Sequence, residues 1–265
     1  MNLSTDLGLI NMFTRVSVLN PTVLTALECL VWSSQGFTIE NYRSSWSLGI
    51  AAAVQDTGHS GTNYQEYIFP YVLYSGENLT IDITSVSYAL LRNDFIKASI
   101  LGRLRFDGYR ASDSDFLFGM KDLDSAFDAG LEVSYDTEWG TISASYVSDV
   151  SNMHKGNELQ VSISKAYAFK KISILPYITV NSLDSKFVDY YYGVTKSEET
   201  NVRKAYVGEA ANTISVEINS TFQMSDSYQF ITGINFKVVG EEISDSLFVE
   251  GHNQLLLYVG WLYKL

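Results

Sequence analysis

A single antiparallel transmembrane β-barrel of about twelve strands, an all-β fold, is predicted for this chain on three observations. The C-terminal residues put Leu255, Leu257, Val259, Trp261, Tyr263 and Leu265 on one face of a strand, and Gln254, Tyr258, Gly260 and Lys264 on the other, because strand side chains alternate with period two. The same alternation of apolar and polar residues returns in strand-length windows from Trp46 onward. The connections between windows are alternately short and long, matching the short periplasmic turns and longer extracellular loops of outer-membrane barrels. A soluble β-sandwich is the competing fold, and it requires Trp261, Tyr263, Ile214 and Phe236 to meet in one dry interior.

Composition narrows the class. The 265 residues show no division into halves, so one barrel domain is expected. Tyr, Phe and Trp number 18, 14 and 4, against only three Pro, and no run of about 18 apolar residues exists to form a transmembrane helix. Barrel strands hide their lipid face in alternation, so a membrane location remains compatible. A net charge of -12 argues against a nucleic-acid partner. The single Cys29 allows no internal disulfide.

Residues 1–36 read as a leader. Arg15 precedes an apolar stretch, and Ser33 and Ser34 follow it, the arrangement of a secretory signal peptide. Asn20, Pro21 and Glu28 interrupt the apolar run, making it a degenerate one, and an amphipathic N-terminal segment is the alternative. Met12 is a second candidate start. Residues 37–265 are assigned to the barrel.

The strands follow in order. Trp46 to Val54, Tyr67 to Tyr74 and Leu79 to about Leu91 open the barrel. Phe95 to Phe106 places Lys97, Arg103 and Arg105 opposite Ile96, Ile100, Leu104 and Phe106. Phe127, Leu131, Val133 and Tyr135 oppose Asp128, Glu132 and Asp136, and a turn at Glu138-Trp139-Gly140 leads to Ile142, Ala144 and Tyr146. Leu159, Val161 and Ile163 oppose Gln160, Ser162 and Ser164, and after Lys170-Lys171 come Ile172, Ile174, Ile178 and Val180. Ile214, Val216, Ile218 and Phe222 lead through the polar turn Ser225-Asp226-Ser227 to Phe230, Ile234, Phe236 and Val238. No helical periodicity competes with this pattern. Eleven strands are clear, and a bacterial single-chain barrel has an even number. Either Phe37 to Arg43 supplies another, or Leu79 to Leu91 bends into two around Ser85 to Ser87. Twelve strands is the expectation and ten the alternative.

The polar faces would line a lumen with Asp82, Lys97, Arg103, Arg105, Asp128, Glu132, Glu217, Lys237 and Lys264. In a barrel this small such charges either pair across the interior and fill it, or line a narrow pore. Tyr190, Tyr191 and Tyr192 cannot follow alternation, so they are expected in a long loop folded over or into the barrel mouth. They would serve as a plug, as a docking surface, or as the loop's own core.

Three segments carry a resemblance to a known family. Trp46-Ser-Leu-Gly49, Asp189-Tyr-Tyr-Tyr-Gly-Val194 with Ser197-Glu-Glu199 downstream, and Gly260-Trp-Leu-Tyr-Lys-Leu265 together resemble the MipA/OmpV family of outer-membrane proteins, from about Trp46 to the C-terminus. Family members usually end in an aromatic residue, whereas Leu265 ends this chain. Within the resemblance, Trp261, Tyr263 and Leu265 stand where the barrel-assembly signal is read. The resemblance implies a location in the bacterial outer membrane, in contact with its lipid. It also implies a scaffold role, since the best-known member binds a membrane-anchored lytic transglycosylase and a bifunctional murein synthase. Other members are linked to porin-like uptake, adhesion or envelope stress, so a narrow channel for small solutes is the second expectation.

Chemistry of other kinds has little footing. His59, His154 and His252 fall in predicted loops and are read as solvated. No Gly-x-Ser-x-Gly, His-Glu-x-x-His or phosphate-cradling glycine loop occurs. No catalytic residue, metal site or cofactor is therefore expected.

Overall fold

The computed structural model describes residues 44–56, 58, 64–112, 114–247, 249 and 251–265. The leader, Cys29, His59 and the candidate strand Phe37 to Arg43 lie outside them. Thirteen strand segments follow one another: β1 (Ser45–Asp56), β2 (Tyr64–Ser75), β3 (Leu79–Ile81), β4 (Ser85–Arg92), β5 (Ile96–Arg105), β6 (Ala126–Thr137), β7 (Gly140–Asp149), β8 (Asn157–Ser164), β9 (Tyr167–Phe169), β10 (Ile172–Leu183), β11 (Ala211–Gln223), β12 (Tyr228–Val239) and β13 (Asn253–Lys264). Each pairs antiparallel with its neighbour. β1 pairs with β13, with Ser47 opposite Lys264, and this ladder closes the sheet on itself.

The wall has twelve strands, because β8 and β9 are two pieces of one. Both pair with β10, on either side of Lys165 and Ala166. Pro176 on β10 explains the break. Its carbonyl accepts from Lys165 N at 3.4 Å, so its nitrogen faces the same neighbour and has no hydrogen to return. The twelfth strand comes from the bend in Leu79 to Leu91, with the turn at Asp82 to Thr84 rather than at Ser85 to Ser87.

The outer surface carries the alternation. Trp261, Tyr263, Ile214 and Phe236 are each between 42% and 51% exposed, on the outside of the cylinder, so the sandwich is excluded. Trp46 stacks on Tyr74 at 4.8 Å, and Tyr228 lies 5.1 Å from Tyr263 and 6.1 Å from Trp261. All five lie at the rim of the short turns, where amphipathic rings suit the membrane interface. Phe106 departs from the sequence expectation. It follows the last residue of β5 and turns inward, buried, instead of sharing the outer face of Leu104.

The long connections gather at the opposite rim, and two of them are helical, contrary to the sequence reading. Helix α1 (Ser185–Tyr192) starts at Asp184, whose side chain accepts from Phe187 N at 2.9 Å as an N-cap. Helix α2 (Glu241–Ser244) is a single turn. A 3-10 turn at Asp115–Leu117 interrupts the β5–β6 connection. No helix among the described residues is long and apolar enough to cross a membrane.

Candidate functional site

The lumen divides into two unlike halves. One is charged. Arg103 donates to Glu158 at 2.9 Å and to Gln160 at 3.1 Å, and Arg105 donates to Asp128 at 2.8 Å and to the other oxygen of Glu158. All four charged groups are buried. Charges taken this far from water persist only when each is paired and hydrogen-bonded. β5 and β6, which are neighbours, and β8, two strands beyond β6, supply them from inward positions, so alternation aims them at one another in the lumen. Further round, Glu217 accepts from Asn219 at 2.5 Å and from Asn235 at 3.1 Å, and Tyr258 donates to Asn219 at 2.5 Å.

The other half is apolar. Ala51 and Ala53 on β1, Tyr67, Phe69 and Tyr71 on β2, Ile231 on β12, and Leu256, Tyr258 and Leu262 on β13 form one buried cluster, which Phe106 joins. Glycine is needed where these strands crowd. A Cβ on Gly233 would lie 2.3 Å from the Tyr258 ring, and one on Gly260 would lie 2.9 Å from Ile231.

Over the outer mouth the long loops build a core of their own. Phe187, Val188, Tyr191 and Tyr192 of α1 pack with Tyr109, Leu117, Met120 and Leu123 of the β5–β6 loop and with Ile243 and Val249 of the β12–β13 loop. Polar contacts stitch the three loops together. Arg203, almost fully buried, donates to the carbonyls of Phe116, Phe118 and Glu198. Tyr206 donates to Glu242 O at 2.7 Å and Ser246 to Tyr192 O at 2.7 Å. Glu198 accepts from Lys121 N at 2.8 Å and from Thr195. Burial works to raise its carboxyl, but these hydrogen bonds prevail and hold it below the ordinary value.

The lid meets the charged half through His154. Its Nδ1 accepts the Gly156 amide at 3.1 Å, so Nε2 carries the hydrogen and donates to Asp128 at 2.9 Å. The ring is buried and packs against Phe187 at 5.0 Å and Tyr191 at 5.6 Å, and the Arg105 guanidinium lies 5.0 Å from the Phe187 ring centre. This corrects the reading of His154 as a solvated loop residue. Asp128, Asp149 and His154 bring ligand atoms within 4.8 Å of one another. Both nitrogens of His154 and both oxygens of Asp128 are already committed, and Asp149 accepts from Ser151 and Lys155. The trio is thus a hydrogen-bonded cluster rather than a built metal site.

The residues singled out in the sequence fall as follows. Arg103, Arg105, Glu132 and Glu217 are buried in the charged half, and Lys97 and Lys237 are half-buried there. Asp82 sits in the β3–β4 turn and accepts from Tyr71 at 3.2 Å, beside the apolar half. Lys264 is exposed at the periplasmic end of β13, apart from the buried set. Trp261, Tyr263 and Leu265 face outward. Tyr191 and Tyr192 are buried in the lid and Tyr190 is half-buried, on a helix rather than an irregular loop. Glu158, the acid both arginines share, was missed, although it occupies the same inward parity as Gln160 and Ser162. A cavity of about 100 Å³ remains between α1 and the charged half, lined by Arg103, Glu158, Tyr177, Phe187, Glu217 and Lys237.

Comparison with known proteins agrees with this architecture. The chain is 25% identical over 224 residues to the putative outer membrane protein YiaT of Escherichia coli K12, covering 82% of this chain and 89% of that one. It is 24% identical over 189 residues to outer membrane protein OmpV of Vibrio cholerae, covering 69% and 72%. Among solved structures, the COG4313 outer membrane channel from Pseudomonas putida F1 aligns at a TM-score of 0.46 and 8% identity, covering 87% of this chain and 98% of that one. The family model described as MltA-interacting protein MipA matches residues 48–265. A closed twelve-stranded barrel with a lipid-facing exterior and this match over most of its length make the chain an outer-membrane protein of the MipA family.

Proposed function

We propose that the protein is a filled barrel acting as an envelope scaffold, which holds murein-remodelling enzymes at the outer membrane instead of conducting solutes. The partners are a lytic transglycosylase, in keeping with the family's description as MltA-interacting, and a murein synthase. The observation that carries this reading is the obstruction of the lumen. An apolar cluster fills one side, paired charges fill the other, and the loop core lies across the outer mouth. Planar-bilayer recording paired with co-purification tests it: capture of a lytic transglycosylase by protein that shows no conductance supports the scaffold. Stable single-channel steps from the purified protein overturn it. A narrow channel is the second reading, favoured by the charged cavity beneath α1, and it requires conductance to appear or rise when residues 185–192 are replaced by a short flexible linker.

A further inference from the structure

The short-turn rim is not uniform in charge. Glu77, Asp94, Glu138 and Asp226 put an acid in the β2–β3, β4–β5, β6–β7 and β11–β12 turns. The two-residue turn between β9 and β10 is Lys170-Lys171 instead, and Lys165 stands at the break between β8 and β9. From Leu159 to Leu183 the chain carries these three lysines and no acidic residue, although acids outnumber bases 30 to 18 overall. Lys170 takes φ 53°, in the left-handed region that glycine and asparagine adopt most readily. A long cation thus occupies a position where a smaller residue would relax the backbone. The lysines on either side are held in place. Lys165 Nζ donates to Glu138 O at 3.1 Å and Lys171 Nζ to Met224 O at 3.4 Å, so the exposed cations span three adjacent turns of the rim. An ammonium has three donors, and one carbonyl contact fixes its position while the others remain to meet an anion.

The same hairpin continues the lipid-facing wall. Tyr167 and Phe169 on β9 lie opposite Ile174 and Ile172, which share the outward face of Ile178 and Val180 on β10, and directly opposed residues stand on one face of a sheet. Phe169 is 57% exposed there. Aromatic rings beside lysines at the short-turn rim mark the level where acyl chains give way to headgroups in the periplasmic leaflet. An acidic protein surface would engage the cations alone. A phospholipid engages both features, the cations through its phosphate and the outward aromatics through its chains. We propose that the β9–β10 hairpin is a binding site for an anionic phospholipid of the periplasmic leaflet. Its phosphate seats among Lys165, Lys170 and Lys171, and its acyl chains run along Tyr167, Phe169 and Ile172.

The test is fluorescence quenching of the full-length protein in phosphatidylcholine vesicles that contain a minor fraction of phosphatidylglycerol. Trp32, Trp46, Trp139 and Trp261 are replaced by Phe, and a single tryptophan is placed by Phe169→Trp. Two vesicle sets of the same overall composition carry bromine either on the phosphatidylglycerol or on an equal amount of the phosphatidylcholine. The ratio of the two quenching values is read, so the depth of the ring cancels. A protein retaining only Trp261 is the control. Trp261 lies in the same cross-strand row as Phe169, through Ile172, Phe222 and Phe230. It is four strands away, about 19 Å at about 4.8 Å per strand, beyond the screening length of roughly 8 Å at physiological salt. A ratio several-fold above that of Trp261 is expected for Phe169→Trp. It should fall to the Trp261 value in high salt, and when Lys165→Gln, Lys170→Gln and Lys171→Gln are combined. Equal ratios at the two tryptophans overturn the site, and so does a raised ratio that survives the three substitutions. Heat-modifiable migration reports folding, and if the triple variant loses it, the salt series on the lysine-bearing protein decides, a ratio insensitive to salt overturning the proposal. Equal ratios together with loss of transglycosylase capture by the triple variant would assign the lysines to an acidic protein partner and likewise overturn the lipid site.

Discussion

The two halves of the lumen face the same kind of exterior and solve the interior differently. On β5, β6 and β8 the inward positions hold Arg103, Arg105, Asp128 and Glu158, each charge satisfied by specific partners. On β1, β2 and β13 the inward positions hold Ala51, Phe69 and Leu256, packed by contact, and Tyr71, which adds one hydrogen bond to Asp82. The charged half is tied to the lid, since Phe187 packs against both His154 and Arg105 and Asp128 bonds both. The apolar half borders the short β3, which among the described residues pairs with β2 at Tyr74 and Ser75. Directional bonds thus accompany the region that must hold its loops in place, and largely non-directional packing accompanies the region behind the short β3.

The sharpest way to break this contrast is Glu158→Ala, which strands two buried guanidiniums. A loss of about 3–5 kcal/mol is expected, by analogy with the removal of one partner from a buried ion pair, read as a lower urea midpoint for loss of heat-modifiable migration. Phe69→Ala on the other side should cost about 3 kcal/mol, the lower end for a buried phenylalanine, in the same assay. The double variant should be additive to within about 0.5 kcal/mol, because Glu158 bonds Arg103 and Arg105 whereas Phe69 packs in the apolar cluster. Strong coupling would mean that the lumen behaves as one core. Asp184→Ala removes the N-cap of α1 and should cost about 1 kcal/mol. Faster amide exchange should then appear in residues 185–192 and around His154, with β2 unchanged.

The smallest effect is a pH dependence of the lid. The Glu198 carboxyl is held below its ordinary 4.5 in the folded protein, so its contribution is complete above that value. It is lost as pH falls through the depressed folded value. Amide exchange of the 107–125 and 184–210 loops should therefore accelerate relative to the strands as pH falls below about 4.5, and Glu198→Gln should flatten the difference.

The outside of the barrel was legible in the sequence because hydrocarbon accepts one kind of side chain. Ile214, Val216, Ile218 and Phe222 announce their face by alternation alone, and Phe230, Ile234, Phe236 and Val238 on the next strand repeat the signal. The inside was only half legible, because a small lumen tolerates charges and greasy side chains equally well. Phe69, Tyr71, Leu256 and Leu262 on inward positions carry nothing that marks them as lumen residues rather than continuous apolar runs. The bend in Leu79 to Leu91 was foreseen as one of two routes to an even count. The actual corner at Asp82 to Thr84 depends on a tertiary contact, Asp82 with Tyr71, that local patterning does not contain. His154 and Arg203 were opaque for the same reason, since their partners on β6 and in the 107–125 loop lie far away in the chain.

Arg203 has a further consequence. A planar guanidinium reaches carbonyls on two loops at once, which a lysine ammonium at the end of a flexible stem cannot match. The outermost residues around it, Phe118, Val202 and Val207, project into water without supporting the cap. Exchanging those tip side chains should therefore leave the cap's internal bonds intact, whereas a change at this concealed cation would release two loops from each other.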